Sequence, residues 1–156
     1  MPNLERPLFT TAEVAKFTKL PATTIQNVLR ADRGFLQFAA GHPGTGKRRL
    51  YSALDVCQFV LLKRFTQGFP AMPLADVRDV IAEIAVKLPT HIVNGLPMWV
   101  LILKDEAGQR HAHVDSAFSG IAETIKTEES DVYVLADIGQ ILTPALKQMK
   151  DEVEAK

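Results

Sequence analysis

Hydrophobic residues recur at helical spacing near the start of the chain. Val14 and Phe17 lie three positions apart, and they follow Thr10 and Glu13, whose spacing is that of a helix-capping box. After a short break, a second helix is predicted over residues 22–30, with its apolar residues at positions i, i+3 and i+4. Five polar side chains fall largely on the other side of that helix: Thr23, Thr24, Gln26, Asn27 and Arg30. Two short helices joined by a tight turn, the second polar outward, predict a helix-turn-helix.

The following segment has the composition of strands and a turn. Residues 35–38 favour a strand, residues 41–46 are rich in Gly and Pro, and residues 47–51 favour extended backbone again. This order predicts a β-hairpin, which would form the wing beside a helix-turn-helix. Ser52 and Asp55 then have the spacing of a second capping box, so the next helix is expected to begin directly after Ser52.

The remaining pattern predicts one more helix, a linker and a small α/β arrangement. The elements expected in chain order are a helix over 73–88, a linker over 89–97, a β-hairpin over 98–103 and 110–114, a polar helix or loop over 117–126, a strand over 132–135 and a last helix opened by Thr143-Pro144. The chain is therefore predicted to be an α+β protein. Its predicted parts are a winged helix-turn-helix domain (1–88), a linker (89–97) and an α/β dimerisation or sensing domain (98–156).

Charge is unevenly distributed along the chain. The 18 Lys and Arg cancel the 18 Asp and Glu overall. Residues 1–67, however, contain ten Lys and Arg against four Asp and Glu, a formal charge of +6. The other eight basic and fourteen acidic residues follow, which gives −6. A basic first half joined to an acidic second half indicates that the first half faces a nucleic acid.

Composition narrows the class of protein further. With 156 residues, 47% of them hydrophobic, the chain is long enough to bury a core as one domain or two small ones. A single Cys excludes a disulfide within one chain and suits a reducing compartment. The sequence has neither a long apolar run nor a signal-peptide pattern at its start, so a cytoplasmic, nucleoid-associated protein without a membrane partner is expected.

The run GHPGTGK at 41–47 has the G-x-x-x-x-G-K pattern of a phosphate-binding loop. In that loop the Lys is followed by Ser or Thr and the helix begins there, so that backbone amides and a hydroxyl meet the phosphates and magnesium. Here Arg48 follows Lys47, and the helix signal comes about five residues later. The run is better explained as the tip of the predicted hairpin.

Three stretches resemble the DNA-binding domain of MerR-family transcriptional regulators. FTTAEVAK at 9–16 is similar to the family's (Y/F)-T-x-x-E-V-A pattern, and RLYSALDV at 49–56 matches R-x-Y-S-x-x-D-V. LADVRDVI at 74–81, after Phe69-Pro70, is similar to the family's next helix. The resemblance covers residues of about 8–88. TIQNVL at 24–29 differs from the family's R-x-L-R-Y-Y run, so only the general placement of DNA contacts carries over.

These observations predict a sequence-specific regulator of transcription that binds double-stranded DNA as a homodimer. The helix over 22–30 would enter the major groove, and the wing over 41–51 would contact the DNA backbone. The predicted DNA-binding residues are Thr23, Thr24, Gln26, Asn27, Arg30, Lys47, Arg48, Arg49 and Tyr51. Alternatives are an architectural or excisionase-like recombination protein, a phage packaging protein, or a protein-interaction module.

The remaining reactive side chains suggest little further chemistry. His111, His113 and Asp115 would share one face of a strand, which is a weak candidate for a metal site, although an ordinary polar face explains the same residues. Cys57 lies on an apolar helix stripe and is expected to be a buried small hydrophobe. We expect no cofactor and no catalytic activity.

Overall fold

In the computed structural model, which describes residues 4–31, 48–68, 71–127 and 131–155, the chain is a mixed α/β protein. The described residues form six helices and two antiparallel sheets. The elements are β1 (Phe9–Thr10), α1 (Thr11–Thr18), α2 (Ala22–Ala31), β2 (Leu50–Tyr51), α3 (Ala53–Gln67), α4 (Leu74–Asn94), β3 (Trp99–Lys104), β4 (Arg110–Asp115), α5 (Phe118–Thr127), β5 (Asp131–Asp137) and α6 (Ile138–Glu154). This arrangement is compatible with the predicted α+β class.

The chain divides into two compact units. The first comprises Met1–Lys63 with Leu142–Lys156, and the second comprises Arg64–Ile141. The predicted boundaries of the winged helix-turn-helix domain (1–88) and of the α/β domain (98–156) describe parts that would fold independently. These boundaries stay predictions. The predicted strand at 35–38 and hairpin tip at 41–46 lie outside the described residues.

Both predicted capping boxes are confirmed in the first unit. The Thr10 side chain accepts a hydrogen bond from the Glu13 backbone N–H at 3.4 Å, and the Glu13 carboxylate accepts one from the Thr10 backbone N–H at 2.7 Å. Ser52 and Asp55 make the same reciprocal pair at the start of α3, at 3.1 and 2.7 Å. Each box satisfies N–H groups that have no partner inside the helix.

A short sheet ties the two capped helices together at their starts. β1 pairs antiparallel with β2, with Phe9 opposite Tyr51 and Thr10 opposite Leu50. Each strand leads directly into a helix, so this pairing fixes α1 relative to α3. The Phe9 ring meets Phe17 edge to face with centroids 5.3 Å apart, and Tyr51 meets Phe59 in the same way at 6.0 Å.

A three-stranded sheet organises the second unit, with the strand order β4-β3-β5 and antiparallel pairing throughout. Leu101 and Leu103 on β3 pack with Ile121 of α5 on one face. Arg110 on β4 forms an ion pair with Asp76 of α4. Arg110 lies opposite Lys104, and Lys104 points away from the face that carries Leu103 because successive residues of a strand alternate between faces. Helix α4, which holds Asp76, therefore covers the sheet face opposite to α5.

The predicted linker over 89–97 is wrong in most of its length, because α4 continues to Asn94. Pro89 lies inside the helix, one residue after the fully buried Leu88. The helix ends at Gly95, whose φ of 62° is left-handed, and the Leu96 N–H donates to the His91 carbonyl at 3.0 Å. Asn-Gly is therefore the stop signal here, rather than the proline.

The predicted start of the last helix at Thr143 is also wrong. Helix α6 begins at Ile138, directly after β5, and contains Pro144. The Asp137 side chain accepts a hydrogen bond from the Gln140 N–H at 3.2 Å, and the Ile138 N–H donates to the Met98 carbonyl at 2.8 Å. These acceptors serve the N–H groups of the first turn, so the helix needs no start signal at Thr143.

Replacing Thr10 tests whether its cap stabilises the first unit. Thr10→Val keeps the branched shape that suits β1 but removes the hydroxyl, so we expect the free energy of unfolding to fall by about 1 kcal/mol. Thr10→Ser retains the acceptor and should lose less. Urea denaturation measures both values, and equal losses in the two variants would contradict a role for the hydroxyl.

Candidate nucleic-acid interface

Helix α2 presents the polar face that the sequence predicted. Its inner side is held by Ile25, which is fully buried, and by Leu29. Thr23, Gln26 and Asn27 are exposed, and Thr24 is half-buried. Arg30 lies on the same helix, outside the residues whose side chains are described. The face is therefore polar, solvent-accessible and supported from behind by apolar packing.

The turn that leads into α2 is well defined. Lys19 ends α1 with a left-handed backbone, φ 54° and ψ 32°. Leu20 is buried, and the Ile25 N–H donates to the Pro21 carbonyl at 3.2 Å as α2 begins. Three residues thus separate the two helices, and the buried Leu20 anchors the turn on the same core as Ile25.

Arg48 and Arg49 lie immediately before β2. Arg48 is exposed and Arg49 is half-buried. Because Leu50 is paired with Thr10, both arginines leave the small sheet at the end where α1 begins. Lys47 and the rest of the predicted hairpin tip lie outside the described residues, so the wing itself stays a prediction.

Tyr51 has a structural role that the sequence only partly indicated. The residue is 1% exposed, and its hydroxyl accepts a hydrogen bond from the Thr11 side chain at 3.5 Å. Its ring packs against Phe59 in the core. A phosphate contact through this hydroxyl would require its exposure, so we remove Tyr51 from the candidate contacts.

The two compact units carry opposite formal charges, as do the two halves of the sequence. The first unit has twelve Lys and Arg against seven Asp and Glu, a formal charge of +5, although it includes the acidic end of α6. The second unit has six against eleven, or −5. The candidate face therefore belongs to a unit with a clear positive excess, which favours an anionic partner.

Two cations of the first unit have partners within the protein that sequence patterns did not indicate. Lys16 pairs with Glu152 of α6 at 2.9 Å, and this hydrogen bond raises the pKa of the ammonium. Lys63 of α3 donates to backbone carbonyls at the end of α1. Both partners are distant in sequence, so no local spacing could have revealed them.

The three side chains of the weak metal candidate on β4 each contact a different residue. His111 contacts Asp105 at 3.1 Å, which lowers the pKa of that carboxyl, whereas His113 contacts the Thr124 hydroxyl at 3.2 Å. The Asp115 carboxylate accepts a hydrogen bond from the Ala117 N–H at 2.8 Å. Within the part of the chain that is described, no three His, Cys, Asp or Glu side chains are grouped to hold a metal ion.

Cys57 is a buried core residue, as predicted. It is fully buried, and burial, together with the nearby charge of Asp55, raises the pKa of its thiol to about 12. A thiol with so high a pKa forms little thiolate near neutral pH and is unreactive.

No protein-family model matches the sequence, and no curated protein matches it significantly.

None of the helices in the described ranges combines the length and the apolar character needed to cross a membrane.

The raised pKa of Cys57 predicts a specific pH dependence. In the unfolded chain the thiol ionises near its ordinary pKa of about 8.5, whereas the folded state holds the proton until about pH 12. The contribution to stability is complete below the unfolded pKa and is lost as pH rises towards the folded one. We therefore expect the difference in unfolding free energy between the wild type and Cys57→Ala to shrink from about pH 8 to about pH 10.

Urea denaturation across this range measures that difference, and alkylation provides an independent check. A thiol reagent at about pH 8 should modify Cys57 only as the protein unfolds. Rapid modification of the folded protein would contradict the burial of this side chain.

Proposed function

We propose that this chain is a sequence-specific regulator of transcription that binds double-stranded DNA as a homodimer. The observation that carries the proposal is the exposed polar face of α2, supported by Ile25 and Leu29, in a unit of net positive charge. The resemblance of residues 8–88 to the MerR-family DNA-binding domain supports the same function.

In this proposal α2 enters the major groove. Gln26 and Asn27 have the paired donor and acceptor that match the exposed edge of adenine, and Thr23 offers a methyl group to thymine. Arg30 would pair with guanine or with a phosphate. A ten-residue helix whose inner face is buried has a suitable size for this role, because the N-terminal part of a recognition helix makes the base contacts.

Backbone contacts would come from Lys47, Arg48 and Arg49. Adjacent cations repel one another, and a polyanion relieves that repulsion. Each phosphate that they neutralise releases counterions, which makes the affinity depend on salt. In the described residues the exposed Arg48 is the clearest test position, since it lies just outside β2.

The dimer part of the proposal concerns the second unit. Val86 is 80% exposed and Val93 is 66% exposed, and these residues lie seven apart on α4. Residues at that spacing share one helix face, so α4 presents these two apolar side chains to solvent on one side, which we call the α4 stripe. A second copy covering this stripe would make a two-fold dimer, which predicts an inverted-repeat DNA site.

Selection of bound duplexes from random DNA, followed by binding at several salt concentrations, tests the DNA part. We expect an enriched sequence and a linear fall of log affinity with log salt concentration. Arg48→Ala should reduce the magnitude of that slope by about 0.9, as expected for the loss of one phosphate contact, and should weaken binding to all sequences alike.

Lys150→Ala is the matched control. It removes one positive charge from an exposed position on α6, in the same unit, where Lys150 lies 3.8 Å from Glu154. Its slope should equal that of the wild type. Failure to enrich any sequence would contradict specific recognition, and an equal slope change in both variants would contradict a local contact at Arg48.

The α4 stripe is tested by sedimentation of Val86→Glu combined with Val93→Glu. Placing two carboxylates in a desolvated contact is unfavourable, so we expect the double variant to be monomeric where the wild type is dimeric. The pair Val86→Thr and Val93→Thr keeps the shape without charge and should weaken the dimer less. A wild type that sediments as a monomer bound to an unrepeated site would contradict the dimer.

A further inference from the structure

The Lys63 ammonium binds backbone carbonyls within the first unit. Its ammonium donates to the Thr18 carbonyl at 3.3 Å and to the Lys19 carbonyl at 3.2 Å. These two carbonyls lie at the end of α1, in the turn that leads to α2. A residue of α3, more than forty positions away, therefore supplies donors to the turn of the predicted helix-turn-helix.

The turn has a second polar contact, made by Thr18 itself. The Thr18 hydroxyl donates to the Val14 carbonyl at 2.8 Å and accepts from the Leu20 N–H at 3.2 Å. Thr18 and Leu20 are each 4% exposed. The hydroxyl thus joins the last turn of α1 to Leu20, the second residue after the helix, at a point shielded from water. We call Thr18 and Lys63 together the turn clamp.

The Lys63 contact answers a physical need at the end of α1. The last carbonyls of a helix have no partner inside it, and the aligned peptide dipoles give this end a partial negative charge. The left-handed Lys19 turns the chain away at once, so no further helical N–H can reach these carbonyls. A lysine ammonium carries three donors, and two of them are used here.

We infer that Lys63 is a positioning residue for α2, and that its charge acts inside the protein rather than on a DNA phosphate. This inference rests on the proposed function. The direction in which α2 leaves the turn decides whether Gln26 and Asn27 reach base edges together. A clamp on the turn fixes that direction without touching DNA, so Lys63 adds to affinity but not to the salt dependence of binding.

The test compares Lys63→Met, which keeps an apolar stem, with Lys63→Arg, which keeps charge and donors. In Lys63→Met we expect affinity for the selected duplex to fall about tenfold, as for the loss of hydrogen bonds from a charged donor, with the salt slope unchanged. Lys63→Arg should restore most of the affinity. Arg48→Ala provides the contrast, because its slope should decrease.

Hydrogen exchange of the Leu20 amide reports the clamp without DNA. It should quicken in Lys63→Met, return towards the wild-type rate in Lys63→Arg, and quicken in Thr18→Val, which removes the acceptor of that amide. Thr18→Val should also bind more weakly with an unchanged slope. It supplies the same test should Lys63→Met not fold.

Two results would overturn the inference. A slope reduced by about 0.9 in Lys63→Met would make Lys63 a phosphate contact. Wild-type affinity and wild-type Leu20 exchange in Lys63→Met would leave the residue without a positioning role. If the wild type bound no duplex selectively, the proposed function would fail, and Leu20 exchange alone would then decide whether the clamp exists.

Discussion

The position of α2 depends on the burial of Ile25 and Leu29 against the core of the first unit. A helix of this length is marginal by itself, because nucleation is unfavourable and few hydrogen bonds follow it. Tertiary packing must therefore hold the helix, and only one side of it is apolar enough to be held. The same constraint that stabilises α2 also directs its polar side chains outward, so the fold of this segment and its proposed function have one physical origin.

The rest of the first unit supports that constraint. The β1–β2 pairing joins the starts of α1 and α3, and the Phe9–Phe17 and Tyr51–Phe59 ring contacts fill the space behind it. The carbonyl of Thr18 at the end of α1 accepts a hydrogen bond from Lys63, and Lys16 on the exposed side of α1 forms an ion pair with Glu152. The cations of the basic first half thus divide into two groups. Lys16 and Lys63 have partners within the protein, whereas Arg48 is exposed beside β2.

Local patterns predict most of the elements, and the errors have both local and long-range causes. Capping boxes at Thr10 and Ser52 were visible because both partners lie within one helical turn. The predicted end of α4 is wrong because the helix, packed through the buried Leu88, tolerates Pro89 and continues to the Asn94-Gly95 stop signal. The start of α6 is only partly a local signal, because Asp137 caps the Gln140 N–H from within one turn whereas the Ile138 N–H is served by the distant Met98 carbonyl.

The candidate site was predicted in the same uneven way. The outward face of α2 follows from periodicity and is confirmed for Thr23, Gln26 and Asn27. The Tyr51 hydrogen bond with Thr11 and the contacts of Lys16 and Lys63 join residues about forty or more positions apart, which no spacing rule connects. The central claim is tested most directly by competing a selected duplex against an excess of heparin, a polyanion without base pairs, at about 0.15 M salt. The account predicts that the protein stays on the duplex. Displacement by heparin to the extent expected from its negative charge alone would contradict the account.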